Sequence, residues 1–487
     1  MQVLSNAVMK NRTKRPIKMV QFGEGNFLRA FVDWMFQELN NAGLYNGNVA
    51  VVQPLEFGRI KELEEQDGLY TLIQEGIKNR EFVETVGVID ILQEFINPYE
   101  DYDAYLKLAE IDTLEFIFSN TTESGIVLDE SDSIENTPPN SFPGKLLAFL
   151  FHRYLKFAGA MDKGLFIVPC ELIDDNGDEL HKCVKRLAEN HGLESGFIRW
   201  LDEANTFINT LVDRIVPGYP ANRTHELTKK LGYIDHNIVM GEIFHLWVIE
   251  DRNGISNILD GAKADLNMVF TDEIKPYKIQ KVRILNGLHT LMTPVAYLKG
   301  IDTVGEAMKD ELILKFIKIS VDYGIIPSTG HYLSKETLTA YVNEVYDRFS
   351  NPQIHHELLT ISLNSTAKFK SRLLPTALDF VKANGMFPPC MAFSLASMLV
   401  FFRGNRNGEV IDLQDEPQFL EFYANVWEKY DANELDARGV VSEFLGLESH
   451  WESNLNEIPG LTNQVTDAVE AILADGMEIA LTNFLAE

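Results

Sequence analysis

The chain has 487 residues, 45% of them apolar, and its 43 basic against 72 acidic side chains leave a net charge of −29. That length points to two large domains, and the negative field argues against nucleic acid or anionic membrane as partners. No apolar run is long enough and free enough of charge to span a bilayer, and the basic N-terminus lacks the apolar stretch of a secretory signal, so a cytoplasmic location is expected. A phosphate or carboxylate ligand has to find its own local cations in such a field. The three cysteines, Cys170, Cys183 and Cys390, form no CxxC pair, which argues against a structural zinc or a disulfide framework.

Ile17–Phe22 reads as a buried strand. Gly23-Glu24-Gly25-Asn26 follows as a turn. Phe27–Gly43 then carries Phe27, Ala30, Phe31, Trp34, Met35 and Leu39 at helical spacing, and Asn48–Gln53 reads as a second strand. Strand, glycine turn, helix, strand is a βαβ unit. A glycine permits the tight turn, a second lets the backbone approach a pyrophosphate, and the helix N-terminus offers its unpaired N–H groups. The third small residue of the usual fingerprint is missing at Leu28, with Ala30 two positions on. The acid expected after the second strand, to hold ribose hydroxyls and repel a 2′-phosphate, is Glu56; Arg59 is near, and the balance favours NAD over NADP. Leu114–Ser119 and Leu165–Pro169 read as further strands, with a helix over Gly144–Phe157 between them. The alternation predicts a mainly parallel sheet covered on both faces.

From about Asp272 strand-like runs give way to helices: Lys278–Ala296, Val304–Asp322, Lys335–Phe349, Ile354–Leu363, Leu373–Ala383, Ala392–Phe402, Pro417–Lys429 and Leu461–Phe484. The predicted architecture is an α/β Rossmann-like domain over 1–272 and a mainly α-helical substrate-binding and catalytic domain over 273–487. The first of these helices carries the chemistry. At about 100° per residue, Asn286 falls roughly 140° and His289 roughly 80° from Lys281, so all three share one side of the rod. Leu285, Leu288 and Met292 occupy part of that side, which predicts half-buried polar groups. Reduction of a ketone needs a hydride, a proton and a donor for the developing oxyanion. A lysine can supply the proton, an Asn amide the donor, and a His can orient a substrate hydroxyl.

Lys281-x4-Asn286-x2-His289 resembles the signature of the polyol-specific long-chain dehydrogenases, the mannitol dehydrogenase family. FGEGNFLRAF at Phe22–Phe31 resembles the nucleotide-binding turn of that family, TTESG at Thr121–Gly125 its Thr-Glu segment near the nicotinamide, and NTLVDRIVP at Asn209–Pro217 its substrate signature with Asp213 and Arg214. The resemblance covers nearly the whole chain. It implies a metal-independent NAD-dependent oxidoreductase with Lys281 as general acid/base, Asn286 in the oxyanion hole and His289 beside the substrate. It further implies cofactor contacts from Gly23, Glu24, Gly25, Asn26, Phe27, Leu28, Arg29, Glu56 and Thr122, and a substrate contact from Asp213. QDGLYT, PCELID, DTVGEAM and RFSNPQI imply a member that reduces a hexuronate ketose, D-tagaturonate, to D-altronate. Fructuronate, mannitol and mannitol-phosphate chemistry in the same family, and a non-catalytic NAD-binding sensor, are the alternatives. Many members carry a second oxyanion Asn after Cys-Asp/Glu; here Leu172 follows Cys170-Glu171, and Asn176 stands downstream. For the substrate carboxylate, the basic stretch with Lys368, Lys370 and Arg372 offers Lys368 and Arg372, with Lys275 and Lys278 as rivals.

Overall fold

Both faces of the first strand are apolar, and so are those of the strands that pair with it, the pattern of a sheet covered by helices on each side. The computed structural model describes all residues except 11, 122–124, 353–354, 407 and 487. It divides into two compact units, Met1–Gly76 with Phe82–Ile274, and Ile77–Glu81 with Lys275–Glu487.

In the first unit β1 (Ile17–Phe22) leads through α1 (Asn26–Ala30) and α2 (Val32–Asn41) to β2 (Asn48–Val52). β3 (Tyr70–Lys78), β4 (Glu81–Ile89), β5 (Leu92–Ile96), β6 (Phe116–Ser119), β7 (Phe166–Pro169) and β8 (Thr206–Phe207) follow. The main sheet runs β5-β2-β1-β6-β7-β8, and the pairs along it are parallel. Numbered within that sheet alone, the order is 3-2-1-4-5-6, the doubly wound arrangement whose crevice opens beyond the carboxyl ends of the first and fourth strands. Side chains alternate between two cores. Met19, Val49, Val51, Phe116 and Phe118 pack with Phe31, Met35 and Phe36; Val20, Phe22, Ala50, Val52 and Ile117 pack with Leu146, Leu150 and Val184. Burying each of these large side chains contributes about 1.5–3 kcal/mol.

β9 (Thr210–Asp213), β10 (Val239–Glu242), β11 (Leu246–Glu250) and β12 (Met268–Thr271) complete the unit, in small sheets ordered β10-β3-β4 and β12-β11-β9. The expected helix over Phe27–Gly43 is cut at Phe31, whose backbone leaves helical geometry at φ −124° and ψ −78°. Phe31 stacks on Phe27 at 5.0 Å and tilts against Trp247 at 5.6 Å. The Ala30 carbonyl at the break accepts from Arg214 Nη1.

The second unit is helical. Lys275–Gln280, a π turn over Lys281–Asn286 and Gly287–Lys299 form one rod. Pro389–Phe401 is buried around its whole circumference, as expected for a central helix, and packs against Gly287–Lys299 and Leu461–Asp475. Two expected helices are divided. Gly476, at φ +79°, separates Leu461–Asp475 from Met477–Phe484. Asp310 accepts from Leu312 N and Ile313 N and so starts Glu311–Ser320 as a helix distinct from Val304–Ala307. Ile354, where another was expected to begin, lies outside the described residues; Leu358–Ile361 is the helix observed there. Among the described residues no helix is long and apolar enough to cross a membrane.

Candidate active site

The turn after β1 has the backbone that a close ligand approach requires. Gly23 sits at φ +120°, a conformation side chains rarely adopt, and a Cβ there would stand 3.2 Å from the Asn120 carbonyl oxygen at the end of β6. Gly25 is the N-cap of α1, and a Cβ added to it would meet nothing within 4 Å among the described residues. Open space thus lies in front of the α1 N-terminus, where a pyrophosphate is seated in such folds.

Not every side chain of the turn faces that space. Leu28 is buried in the core, so only its backbone is available to a ligand. Arg29 is 2% exposed, and its guanidinium donates to the Glu24 carbonyl (3.1 Å), the Asn237 carbonyl (2.7 Å) and Asn26 Oδ1 (2.7 Å). It therefore shapes the turn and does not reach out as a phosphate clamp. Asn26 and Phe27 are half-buried, the one held by Arg29 and the other on Phe31. Glu24 Oε1 accepts from Arg59 N at 3.0 Å, which ties the glycine turn to the loop after β2. Glu56 is exposed on that loop. Arg59, the cation near it, is engaged: its Nε and Nη2 donate to Glu62 Oε2 at 2.8 and 2.6 Å.

At the ends of β6 and β7, Glu171 is buried and accepts from Ser119 Oγ (3.0 Å), Thr121 N (2.9 Å) and Thr121 Oγ1 (2.9 Å). Burial pushes its carboxyl up, against these hydrogen bonds. Thr122 lies outside the described residues. Asn176 does not offer a replacement amide where Leu172 follows Glu171. It is buried, and its Nδ2 donates to the carbonyls of Pro169 (3.0 Å) and Glu171 (3.1 Å) and to Thr210 Oγ1 (3.2 Å). Leu172 is 59% exposed. Asp213, expected at the substrate, lies buried on β9 within the first unit. Its neighbour Arg214 donates through Nε to the Glu242 carbonyl (2.9 Å) and covers the Trp34 ring at 4.4 Å. Burial lowers that guanidinium to about 9.

In the second unit the rod brings Lys281, Asn286 and His289 to one face, by a geometry that the α-helical wheel does not describe. A π turn bonds residue i to i+5, so residues five apart lie nearly above one another. The turn spans Lys281–Asn286, so its two end residues come closer to one line along the rod than the roughly 140° between them on an ordinary α-helix. His289 is three residues further on, where α geometry makes it the neighbour of Asn286. Lys281 and Asn286 are half-buried.

His289 is buried, stacked on Phe349 (4.2 Å) and edge-on to His356 (4.9 Å). Its Nε2 has no hydrogen-bond partner among the described residues. Burial lowers its pKa well below the ordinary value, and His356, Arg348, Arg372 and Lys368 lower it further, so it is a neutral imidazole at working pH. Of these, Arg348, Arg372 and Lys368 supply the positive charge that acts on it, while burial lowers His356 as well. Arg372 Nη1 donates to Thr290 Oγ1 at 3.3 Å, and Lys368 Nζ to the Ile361 carbonyl at 3.0 Å. Both lie on Ser365–Arg372, one helical turn apart, and both are held below their ordinary pKa chiefly by burial. Sequence reasoning found Lys368 and Arg372 but missed His356, Arg348 and Thr290. The His355-His356 pair was a visible signal; for Arg348 there was none. Lys370, by contrast, points away to Glu452 at 2.9 Å.

Comparison with known proteins gives two family matches: a mannitol dehydrogenase Rossmann domain over residues 17–260 and a mannitol dehydrogenase C-terminal domain over residues 273–473. Among curated relatives, an altronate oxidoreductase of Bacillus subtilis (strain 168) is 44% identical over 99% of this chain and 98% of its own. An altronate oxidoreductase of Escherichia coli O6:K15:H31 (strain 536 / UPEC) is 44% identical over 96% of each chain. Among solved structures, a D-sorbitol dehydrogenase in substrate-free form superposes with a TM-score of 0.81 at 23% identity, over 99% of this chain and 100% of the other. Pseudomonas fluorescens mannitol 2-dehydrogenase, in ternary complex with NAD and D-mannitol, superposes with a TM-score of 0.69 at 22% identity, over the full length of both chains. These two likenesses concern the fold.

Proposed function

The chain belongs to the mannitol dehydrogenase family, and from that premise we propose that it is an NAD-dependent oxidoreductase that reduces D-tagaturonate to D-altronate, reversibly and without a metal. Residues 1–272 serve the dinucleotide, and residues 273–487 serve substrate and proton. The observation that carries the reading is the 275–299 rod: a π turn with half-buried Lys281 and Asn286 at its two ends, His289 three residues on, and the charges of Arg348, Arg372 and Lys368 acting on His289. The names of the relatives support the choice of substrate.

The crevice fits a dinucleotide, since Gly23 allows the backbone to approach and open space lies in front of Gly25. Bound NADH supplies the hydride. Glu56 holds the ribose hydroxyls, and Arg59, spent on Glu62, has no charge to spare for a 2′-phosphate, so NADPH is disfavoured. Lys281 Nζ gives its proton to the carbonyl oxygen as the ketone becomes an alcohol, and takes it back in the reverse direction. The Asn286 amide donates to the same oxygen while it carries negative charge. His289, neutral and with Nε2 unpartnered among the described residues, accepts from or donates to a substrate hydroxyl. Arg372 and Lys368 hold the carboxylate, which distinguishes a hexuronate from a neutral ketose. Because Lys281 supplies the proton, the reaction has no need of a Lewis acid.

The test is NADH oxidation in excess chelator against D-tagaturonate, D-fructuronate, D-fructose and fructose 6-phosphate, with wild type and Lys281→Ala. Tagaturonate is expected to be preferred by about a hundredfold or more, and Lys281→Ala to lose about 10²–10⁴ in kcat. Preference for another ketose would discard the substrate. Near-normal turnover by the variant would discard the lysine, and loss of activity in chelator the metal-free chemistry.

A further inference from the structure

Arg283 lies inside the π turn, between Lys281 and Asn286, and nothing above has given it a task. Its side chain is 8% exposed. Nη1 donates to the Ser328 carbonyl at 3.1 Å, Nη2 donates to Asp379 Oδ2 at 2.7 Å, and the guanidinium covers the Tyr332 ring at 5.1 Å. Ser328 belongs to Ile326–Thr329, the short helix that continues a second π turn, Val321–Ile325. Its carbonyl is among the last four of that helix, which find no partner within the helix itself, so Arg283 supplies a donor that the helix lacks. Asp379 belongs to Leu374–Asn384, which begins directly beyond Ser365–Arg372; Leu373 closes the one helix and opens the other. The rod rests on that junction. A Cβ added to Gly287, the residue after Asn286, would stand 3.5 Å from Leu373 Cδ2 and 3.9 Å from the Arg372 carbonyl oxygen.

The geometry points to Arg283 as a positioning residue for the reduction: one guanidinium ties the turn that carries Lys281 and Asn286 to the helix that follows Lys368 and Arg372, and so sets the proton donor in register with the carboxylate site. This rests on the reading that Lys281 gives the proton and that Lys368 and Arg372 take the carboxylate.

An arginine suits the task. Its planar fork meets a carbonyl on one element and a carboxylate on another at the same time, which an ammonium on a flexible stem does not. Net stability is a poor account of the pair, because taking a guanidinium out of water costs about as much as its attraction to one carboxylate returns. What the pair does set is the position of the two elements it joins. Burial pushes the Asp379 carboxyl up, but the hydrogen bond and charge of Arg283, with Lys382 at 3.4 Å, outweigh burial and hold it below its ordinary value. The carboxylate is therefore charged at working pH.

The test compares full-length wild type, Arg283→Met, Arg283→Lys and Asp379→Ala on D-tagaturonate, by kcat, KM, NADH Kd and the solvent deuterium isotope effect on kcat. Arg283→Met is expected to lose about 10- to 100-fold in kcat, since a misplacement of about 1 Å costs on that order. Its NADH Kd should stay at the wild-type value. The solvent isotope effect should grow, because a displaced Lys281 slows the proton transfer. Arg283→Lys keeps the charge but not the fork and should recover only part of the loss. Asp379→Ala removes the far anchor and should move kcat and the isotope effect in the same direction. A wild-type kcat in Arg283→Met would overturn the role of Arg283, and so would a lower kcat with an unchanged isotope effect, the mark of fewer active molecules. Should Arg283→Met fail to fold, Asp379→Ala decides by the same two readings, its side chain being 20% exposed. Absence of turnover by wild type, or near-normal turnover by Lys281→Ala, would instead overturn the reading on which this role depends.

Discussion

At the residue scale, the roles of single side chains separate by what each variant should leave intact. Arg372 sits half-buried over Thr290, and a charge-assisted hydrogen bond to a carboxylate contributes about 1.5–3 kcal/mol. Arg372→Ala should therefore raise KM for tagaturonate by about 10- to 100-fold, while reduction of neutral D-fructose changes little; equal losses on both ketoses would mean that Arg372 supports the fold and not the carboxylate. Asp33, buried in the first turn of α2, carries a stability signature as well. Its folded pKa, about 7, lies above the unfolded value near ~3.9. The folded state then holds the extra proton between those values, so stability is highest below about pH 4 for this group and falls as pH rises toward 7. Each unit of difference corresponds to about 1.4 kcal/mol. Asp33→Asn should gain Tm relative to wild type as pH goes from about 5 to 8, read by scanning calorimetry; a constant difference would show that Asp33 is ionised throughout.

At the scale of elements, Gly23 gives a direct check. Gly23→Ala demands φ +120° of an alanine and brings its Cβ 3.2 Å from the Asn120 carbonyl. Strain of this kind costs about 1–3 kcal/mol, so Tm and NADH affinity should both fall; unchanged affinity would mean that the turn does not meet the cofactor. This strand–turn–helix unit was legible in the sequence because its signals are local: an apolar run, two glycines and helical spacing. The helices of the second half were legible for the same reason, and Lys335–Phe349 was read to its last residue. What was not legible depends on distant partners. The cut at Phe31 is made by contacts with Trp247 and Arg214, some two hundred positions away. β3, β4 and β9–β12 were passed over because these strands pair in small sheets and mix polar with apolar residues, so no long apolar run announces them. Arg29 looked like a ligand contact from its place in the motif, and only its three acceptors reveal it as a strut. The shared face of Lys281, Asn286 and His289 was expected, but the α-helical wheel could not foresee the π turn between the first two.

At the scale of the whole molecule, a net charge of −29 opposes the approach of an anionic sugar acid, and the cations around His289 have to work against it. Salt screens long-range repulsion more than it screens a half-buried pair, the Debye length being about 8 Å at physiological ionic strength. Raising salt from roughly 0.01 M to 0.15 M should therefore lower KM for tagaturonate and leave KM for D-fructose nearly unchanged. A KM for tagaturonate that rises with salt would mean that local attraction already outweighs the global field.

The π turn at Lys281–Asn286 also resets the phase of the rod that carries it. Upstream, in Lys275–Gln280, Gln280 alone is buried; downstream, every residue from Gly287 to Tyr297 is buried. An uninterrupted α-helix keeps one angular phase, so a face that is wet at one end tends to be wet at the other. The extra residue in the turn delays the rotation by about 100°, and within the turn Arg283, Ile284 and Leu285 are already buried, so the rod passes there from a half-buried segment to an enclosed one. Lys281 and Asn286 stand at the two ends of that turn, half-buried, on the boundary between the two environments.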